Sequence, residues 1–259
     1  MLRTLWTSKM GMNAQQQKLD AISNNIANSS TNGYKKVNVG FKDLLSESLD
    51  RKGYPINDKT SIMGTGVKTT TWSRNNTQGN LIDTGLSTDL AIDGVGKYFR
   101  LTAPDGSKVY SRDGSFKIDS TGSLVDSNSN KLDIEYEPGR NAENTKFKEE
   151  NMMFDTQGNV YIKEGDVFNK VGKANLYTAV GEDAFQSVSE NLFVLSPGAT
   201  VQVVNSASTN ISQGFLEGSN VNISEEMTDM IVTQRAFQLS SKSLETADQM
   251  WGMINNMRS

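Results

Sequence analysis

Apolar residues recur every seven positions near both ends of the 259-residue chain, and this repeat restricts the fold more than any other feature. So narrow a stripe is typical of a helix that packs against another helix, since a helix on a broad core shows a wider apolar face. We therefore predict one helix from Thr4 to about Asn28 and a second over about the last 35 residues. We predict an assembly interface formed by Leu5, Met12, Leu19, Ile22 and Ile26 in the first helix and by Met227, Met230, Phe237, Leu244 and Trp251 in the second.

Capping signals mark the inner ends of both helices. The first helix is followed by Ser29-Ser30-Thr31-Asn32-Gly33, where a glycine after polar residues supplies the left-handed backbone that closes a helix. Before the second helix, Asn222 and Glu225 resemble a capping box, and Glu225 and Glu226 suit the positive end of a helix dipole. We interpret both glutamates as solvated charges of the cap.

The alternate positions of the two stripes are polar. They are Ser8 and Gln15 in the first helix and Gln234, Ser241 and Asp248 in the second. Two such helices would bury too little apolar surface to offset the entropy of ordering them. We therefore expect the termini to be loosely ordered in the monomer and fixed when copies pack side by side, the alternative being a helical hairpin within one molecule.

Between the helices the hydrophobic period changes from seven to two, which favours antiparallel hairpins over residues 86–217. The predicted strand segments are Tyr98–Leu101, Lys108–Ser111, Ser115–Ile118 and Asn159–Ile162. The predicted turns that separate them contain Gly106, Gly114, Gly122 and Gly158. Residues 35–85 fit neither pattern, and we predict an extended connector that carries a strand or two. The fold class is thus α+β: two long terminal helices that form a coiled coil, a connector and a mainly antiparallel β domain.

Composition excludes several classes of function. The chain has no Cys and no His, which removes Cys–His and Ser–His–Asp nucleophiles as well as thiolate and imidazole metal sites. A formal charge of −4 with no basic stripe argues against nucleic acid. No apolar run is long enough to span a bilayer, and the first nine residues lack the apolar stretch of a cleavable secretory signal. We expect no cofactor, no metal and no direct membrane insertion.

Motifs at both helix ends resemble those of the flagellar rod and hook family of axial proteins. The amino-terminal motif lies in Asn24–Lys35 and the carboxy-terminal motif begins at Ser219, while Gly94–Phe99 and Tyr110–Phe116 are similar to the family's central β region. The residues that match the terminal motifs are Asn25, Ala27, Asn28, Thr31, Gly33, Tyr34, Ser219, Asn220 and Val221.

The resemblance implies a structural subunit of the basal-body rod that forms a helical tube and transmits torque from motor to hook. It also implies four regions: an assembly helix in 1–34, a connector in 35–85, an outer β domain in 86–217 and a second assembly helix in 218–259 that pairs with the first. Implied partners are copies of the chain, adjoining rod and hook proteins and the flagellar type III export apparatus, with a final location outside the cytoplasm. The stretch from Phe41 to Val67 is similar in length to that of the family's distal-rod members, so the resemblance implies the distal rod, with a proximal-rod or hook-type subunit as the alternative.

An enzyme acting on cell-wall polysaccharide is the main alternative of a different class. A glycosidase needs two carboxyls that face one bond, whereas Glu149-Glu150 and Glu225-Glu226 are adjacent in sequence and so point apart. Asp113, Asp119 and Asp126 are spaced for hairpin turns and not for a calcium loop. We therefore predict that the chain is not an enzyme.

Overall fold

The computed structural model describes residues 2–44, 46–48, 62–142, 144–179, 184–189, 191–205 and 208–258. The chain divides into two compact units. Unit 1 combines Met1–Ala27, Lys36–Asn75 and Val221–Ser259, and unit 2 combines Asn28–Lys35 and Asn76–Asn220. The four regions predicted from sequence are a finer division and stay a prediction. Residues 45 and 49–61 of the predicted connector lie outside the described residues.

Two long helices dominate unit 1: α1 (Leu2–Ala27) has 26 residues and α2 (Ile223–Arg258) has 36. They pack side by side and run antiparallel. The direction is shown by two contacts: Asn25 bonds to Glu226 at one end, and Ser8 donates to Ser243 Oγ at 3.2 Å near the other. At about 1.5 Å per residue, α2 is roughly 15 Å longer than α1. Its last two turns or so therefore extend past the first residue of α1. The predicted pairing of the terminal helices is confirmed.

The start of α2 has the predicted cap. Asn222 Oδ1 accepts a hydrogen bond from the Ser224 amide at 3.1 Å, as the first residue before a helix does when it satisfies a free amide. Glu225 and Glu226 occupy the first turn. Glu225 is exposed as predicted, but Glu226 is buried, so its interpretation as a solvated charge is wrong.

The connector in unit 1 is more regular than expected. Its described residues form six short strands that pair as nested antiparallel ribbons, β1 with β6, β2 with β5 and β3 with β4. The predicted number, a strand or two, was too small. The strands are β1 (Val37–Asn38), β2 (Phe41–Asp43), β3 (Ser46–Ser48), β4 (Ile62–Gly64), β5 (Val67–Thr69) and β6 (Ser73–Arg74). One face of α1 packs on β5, where Thr69 Oγ1 donates to the Gln17 side chain.

Unit 2 is built of antiparallel strands, which confirms the predicted β architecture. They are β7 (Leu81–Asp83), β8 (Leu90–Ile92), β9 (Tyr98–Thr102), β10 (Lys108–Ser111), β11 (Lys117–Ile118), β12 (Leu124–Val125), β13 (Lys131–Leu132), β14 (Ile134–Tyr136), β15 (Met152–Phe154), β16 (Asn159–Glu164), β17 (Val167–Ala174), β18 (Leu176–Ala179), β19 (Phe185–Ser189), β20 (Leu192–Leu195), β21 (Val201–Val203), β22 (Ile211–Gln213) and β23 (Phe215–Glu217). Of the predicted segments, Ser115–Ile118 is a strand only in its second half.

Two sheets enclose the core of unit 2. The nine-stranded sheet follows β11-β12-β13-β9-β10-β20-β19, and β18 pairs with β9 and β21; the four-stranded sheet follows β14-β17-β16-β15. The core between them is apolar and buried, with Leu101, Val160 and Leu176 fully inaccessible to solvent. The Phe99 and Phe116 rings meet edge to face, with their centroids 5.6 Å apart. Strand β7 pairs with β23 and strand β8 pairs with β22, so that the first strands of unit 2 are joined to its last ones.

Candidate assembly surface

The seam between the helices is lined on the α2 side by two series of residues at seven-residue spacing. Met230, Phe237 and Leu244 are half-buried, in keeping with the predicted stripe. The companion series is Glu226, Thr233, Ser240 and Ala247, of which all but Ser240 are buried. The predicted companions Gln234, Ser241 and Asp248 are exposed, so that assignment is wrong. The seam is thus lined by small and polar side chains on one side of its apolar stripe.

The α1 helix uses two faces. Ile22 is buried in the seam, and Leu5, Met12, Leu19 and Ile26 are half-buried. A second face contacts the connector and contains Ala14 and Ala21, which are 3% and 2% exposed. Small side chains on this face allow the strands to approach the helix closely. The seven-residue stripe therefore describes one of the two surfaces that α1 buries within its own molecule.

A buried polar network closes the end of the seam. The Asn25 side chain donates to Glu226 Oε2 at 3.0 Å and to the Val37 carbonyl at 2.9 Å, and it accepts from the Val37 amide at 2.9 Å. The Lys36 ammonium lies 2.5 Å from Glu226 Oε1. One side chain from the amino-terminal motif thus joins α1, α2 and the connector. The motif identified Asn25, but neither Lys36 nor the buried role of Glu226 carried a sequence signal.

Apolar side chains also cover the side of α2 that faces away from the seam. At 100° per residue, a group of five falls on the flank and back of α2, about 110° to 170° from the mean direction of the seam residues, and we call it the outer stripe. These residues are exposed, with Leu239 at 72%, Val232 at 60% and Met257 at 87%. The outer stripe consists of Val232, Leu239, Met250, Met253 and Met257.

Two further groups on α2 are uncovered. Ile223, Met227 and Ile231 form an exposed row at the start of the helix. Trp251 and Ile254 continue the seam past the start of α1 and are about half exposed. Of the ten predicted assembly residues, Met227 and Trp251 are therefore available to other molecules, whereas the rest are wholly or partly covered by the same chain. The assembly role of all ten stays a prediction.

Ala27 of the amino-terminal motif is the last residue of α1, and the motif residues that follow it form the turn after the helix, in unit 2. Thr31 bonds back to Asn28 through its amide at 3.2 Å and its hydroxyl at 3.1 Å. Gly33 has φ +68°, and a Cβ there would lie 2.7 Å from the Asp113 amide nitrogen. Tyr34 is buried, and its carbonyl accepts from the Asn220 amide. The two terminal motifs thus meet, and glycine is required at position 33 by both conformation and space.

Next to this turn lies a group of three buried charges, which we call the buried triad: Lys35, Arg112 and Glu217. The Lys35 ammonium is 2.6 Å from Glu217 Oε1, and Arg112 Nε is 2.5 Å from Oε2. Each of the three side chains is about 1% exposed. Burial lowers the pKa of Lys35 below its usual 10.5, with the nearby Arg112 charge adding to the effect and the Glu217 bond opposing it.

Comparison with known proteins matches three separate stretches of the chain. The flagella basal body rod protein family matches residues 5–35, the D1 domain family of the flagellar hook protein FlgE/F/G matches 91–162, and the carboxy-terminal family of the flagellar basal body rod FlgEFG proteins matches 212–257. The flagellar basal-body rod protein FlgG of Borreliella burgdorferi is 35% identical over 100% of this chain and 99% of its own length. The chain belongs to the FlgG family of flagellar basal-body rod proteins.

Two relatives from Bacillus subtilis extend the comparison. Its FlgG is 33% identical over the full length of both chains, and its flagellar hook-basal body complex protein FlhP is 29% identical over the same extent. As a member of the FlgG family, the chain is a structural subunit of the distal rod and not an enzyme. The amino-terminal family match ends at Lys35, and the carboxy-terminal match includes Glu217 and Glu226.

Two kinds of feature are absent from the described residues: a membrane-spanning helix and a metal-binding group. Neither of their helices has an apolar stretch that could cross a membrane. Within the same ranges, no three acidic side chains are grouped so as to hold a metal ion.

Proposed function

We propose that this chain polymerises into the helical tube of the distal rod through its terminal helices, and that the tube transmits torque from motor to hook. The observation that carries the proposal is the outer stripe. Exposed apolar surface on a helix that already has an intramolecular partner has no use within the monomer. Adjoining rod and hook proteins are the further partners that a rod subunit implies.

The hairpin provides a platform for these contacts. The seam holds α2 against α1 and points the outer stripe away from the rest of unit 1. Flexible methionines make up three of its five residues, and such side chains adapt to contacts of differing geometry. A subunit that meets its neighbours in a helical lattice makes contacts of several kinds, which this surface suits.

The route to the rod follows from the same assignment. A subunit of the distal rod acts outside the cytoplasm, and the flagellar type III apparatus exports its substrates as unfolded chains. A hairpin whose seam is partly polar and whose outer stripe has no partner is compatible with a chain that completes its order only on assembly. The termini thus serve in assembly, and the β strands of unit 2 add stiffness.

Removing the outer stripe tests the proposal. The variant Val232→Ser/Leu239→Ser/Met253→Ser loses three side chains worth about 1.5 to 3 kcal/mol each when fully buried. We expect sedimentation velocity and electron microscopy to show that it stays monomeric at concentrations where the wild-type chain polymerises. The matched control is Gln234→Ser/Gln238→Ser/Gln249→Ser, which places three serines at exposed polar positions of the same helix. Equal polymerisation of both variants, with unchanged helical circular dichroism, would refute the assembly role of the stripe.

A further inference from the structure

The segment that follows α1 is the one part of unit 2 that is remote in sequence. Apart from Asn28–Lys35, the unit is the continuous stretch Asn76–Asn220. The segment forms no strand of its own and contacts separate parts of that stretch. The Gly33 amide donates to the Glu217 carbonyl at 2.7 Å, the Asn191 side chain donates to the Asn32 carbonyl, and Lys35 Nζ donates to the Thr77 carbonyl at 2.7 Å.

Glu217 holds these parts together. Its Oε1 accepts from Lys35 and, at 2.8 Å, from the Gly79 amide, while its Oε2 accepts from Arg112. The carboxylate therefore connects the remote segment with the strand that ends the unit and with the Arg112 turn after β10. Arg112 is fixed in turn by the carbonyls of Lys97 at 2.8 Å and Gly94 at 2.6 Å.

The charges of the buried triad do not cancel. Two cations face one carboxylate, so the group carries one net positive charge at a site where each side chain is about 1% exposed. Removing Glu217 would leave two buried cations with no counter-charge, which is the costly way to break a buried ion pair. Removing Lys35 would leave Arg112 and Glu217 as a pair of balanced charge, in which Glu217 still accepts the hydrogen bond from the Gly79 amide.

We propose that the buried triad makes completion of unit 2 conditional on docking of residues 32–35. Until the segment is docked, Glu217 lacks one of its two cations and the backbone at Arg112–Asp113 lacks the glycine that packs on it. Docking supplies both at once, so the segment and the β strands close as one cooperative step. The inference concerns unit 2 alone and holds whether or not the outer stripe drives assembly.

Hydrogen exchange of the unaltered full-length chain gives the first test. If docking and closure are one step, the Gly33 and Gly79 amides exchange at the rate of the buried strand β9, through opening of the whole unit. Exchange of Gly33 more than about 100-fold faster than β9 would show that the segment undocks while the unit stays closed, and would overturn the proposal.

Charge variants of the full-length chain give the second test. Glu217→Gln should raise the exchange rate of β9 about 100-fold or more, as loss of one partner of a buried pair predicts. Lys35→Met leaves the Arg112–Glu217 pair balanced but removes the cation that couples the segment to it, so it should raise the exchange rate of the Gly33 amide at least about tenfold more than that of β9. Equal effects of Lys35→Met on Gly33 and on β9 would contradict the role of the triad in docking. Adding Lys35→Met to Glu217→Gln should slow β9 exchange relative to Glu217→Gln alone, because it removes one stranded cation. The matched control is Glu164→Gln, which breaks the exposed Arg140–Glu164 pair and should change exchange less than about threefold. A Glu217→Gln effect no larger than that of the control would contradict the proposal.

Discussion

Replacing Gly33 by alanine should destabilise unit 2 more than the same replacement at Gly106, a glycine of similar backbone conformation. Two separate costs arise at this position. The backbone has φ +68°, where a side chain costs about 1 to 2 kcal/mol. In addition, the new Cβ would lie 2.7 Å from the Asp113 nitrogen and 2.8 Å from the Arg112 carbonyl carbon, both of them backbone atoms that cannot rotate away. Overpacking of this kind adds about 1 to 3 kcal/mol, for a total of about 2 to 5 kcal/mol.

Two other glycines separate these costs. Gly106 has φ +85° and open space around its Cβ position, so Gly106→Ala carries the conformational cost alone, about 1 to 2 kcal/mol. Gly252 lies inside α2 with nothing near its Cβ position, so Gly252→Ala should stabilise the helix by about 1 kcal/mol.

The assay must report on the correct unit. The three tryptophans, Trp6, Trp72 and Trp251, all belong to unit 1. Their fluorescence during urea unfolding therefore reports the stability of unit 1 and measures the effect of Gly252→Ala. The stability of unit 2 is measured by hydrogen exchange of the β9 amides. These amides should exchange at least about tenfold faster in the Gly33→Ala variant than in the Gly106→Ala variant. Equal exchange in these two variants would refute the claim that backbone contact, in addition to conformation, requires glycine at position 33.

Two further predictions concern polar contacts. Asn25→Ala removes three buried hydrogen bonds and should destabilise unit 1 by about 2 to 4 kcal/mol, seen as a lower urea midpoint of tryptophan fluorescence; an unchanged midpoint would count against the network. The Arg140 guanidinium, with help from Asn169, lowers the pKa of Glu164 from 4.5 to about 2, so the favourable contact is present above pH 4.5 and is lost as the pH falls through about 2. Carboxyl chemical shifts should give this pKa, and Arg140→Gln should raise it towards 4.5; a pKa near 4.5 in the wild-type chain would contradict the bidentate contact.

The sequence was informative where structure depends on local pattern. The seven-residue repeat predicted both helices, and Asn222 predicted the start of α2. Glycines 106, 122 and 158 lie in the predicted turns and have positive φ. These features follow from capping and turn preferences that act over a few residues.

The sequence was less informative where structure depends on remote contacts. The repeat identified one series of seam residues on α2, which begins with Met230. The companion series could lie three or four positions after each of these residues, and only the packing of α1 decides between the two. In the structure it lies three positions on and includes Thr233 and Ala247. Gly114 was predicted to form a hairpin turn, yet its importance is close approach, since a Cβ there would lie 1.6 Å from the Leu90 carbonyl oxygen. Lys35, Arg112 and Glu217 come from three distant parts of the chain, and no local pattern distinguishes a buried charge from a solvated one.

In the polymer, the apolar surface of α2 that is uncovered in one molecule should be covered by other copies. The chain contains no cysteine, so the single substitution Leu239→Cys introduces a unique thiol in the middle of the outer stripe. The rate at which a maleimide labels this thiol, measured on the monomer and on the polymer, tests the claim directly. We expect rapid labelling of the monomer and at least about tenfold slower labelling of the polymer; equal rates in the two states would show that other copies do not cover this surface.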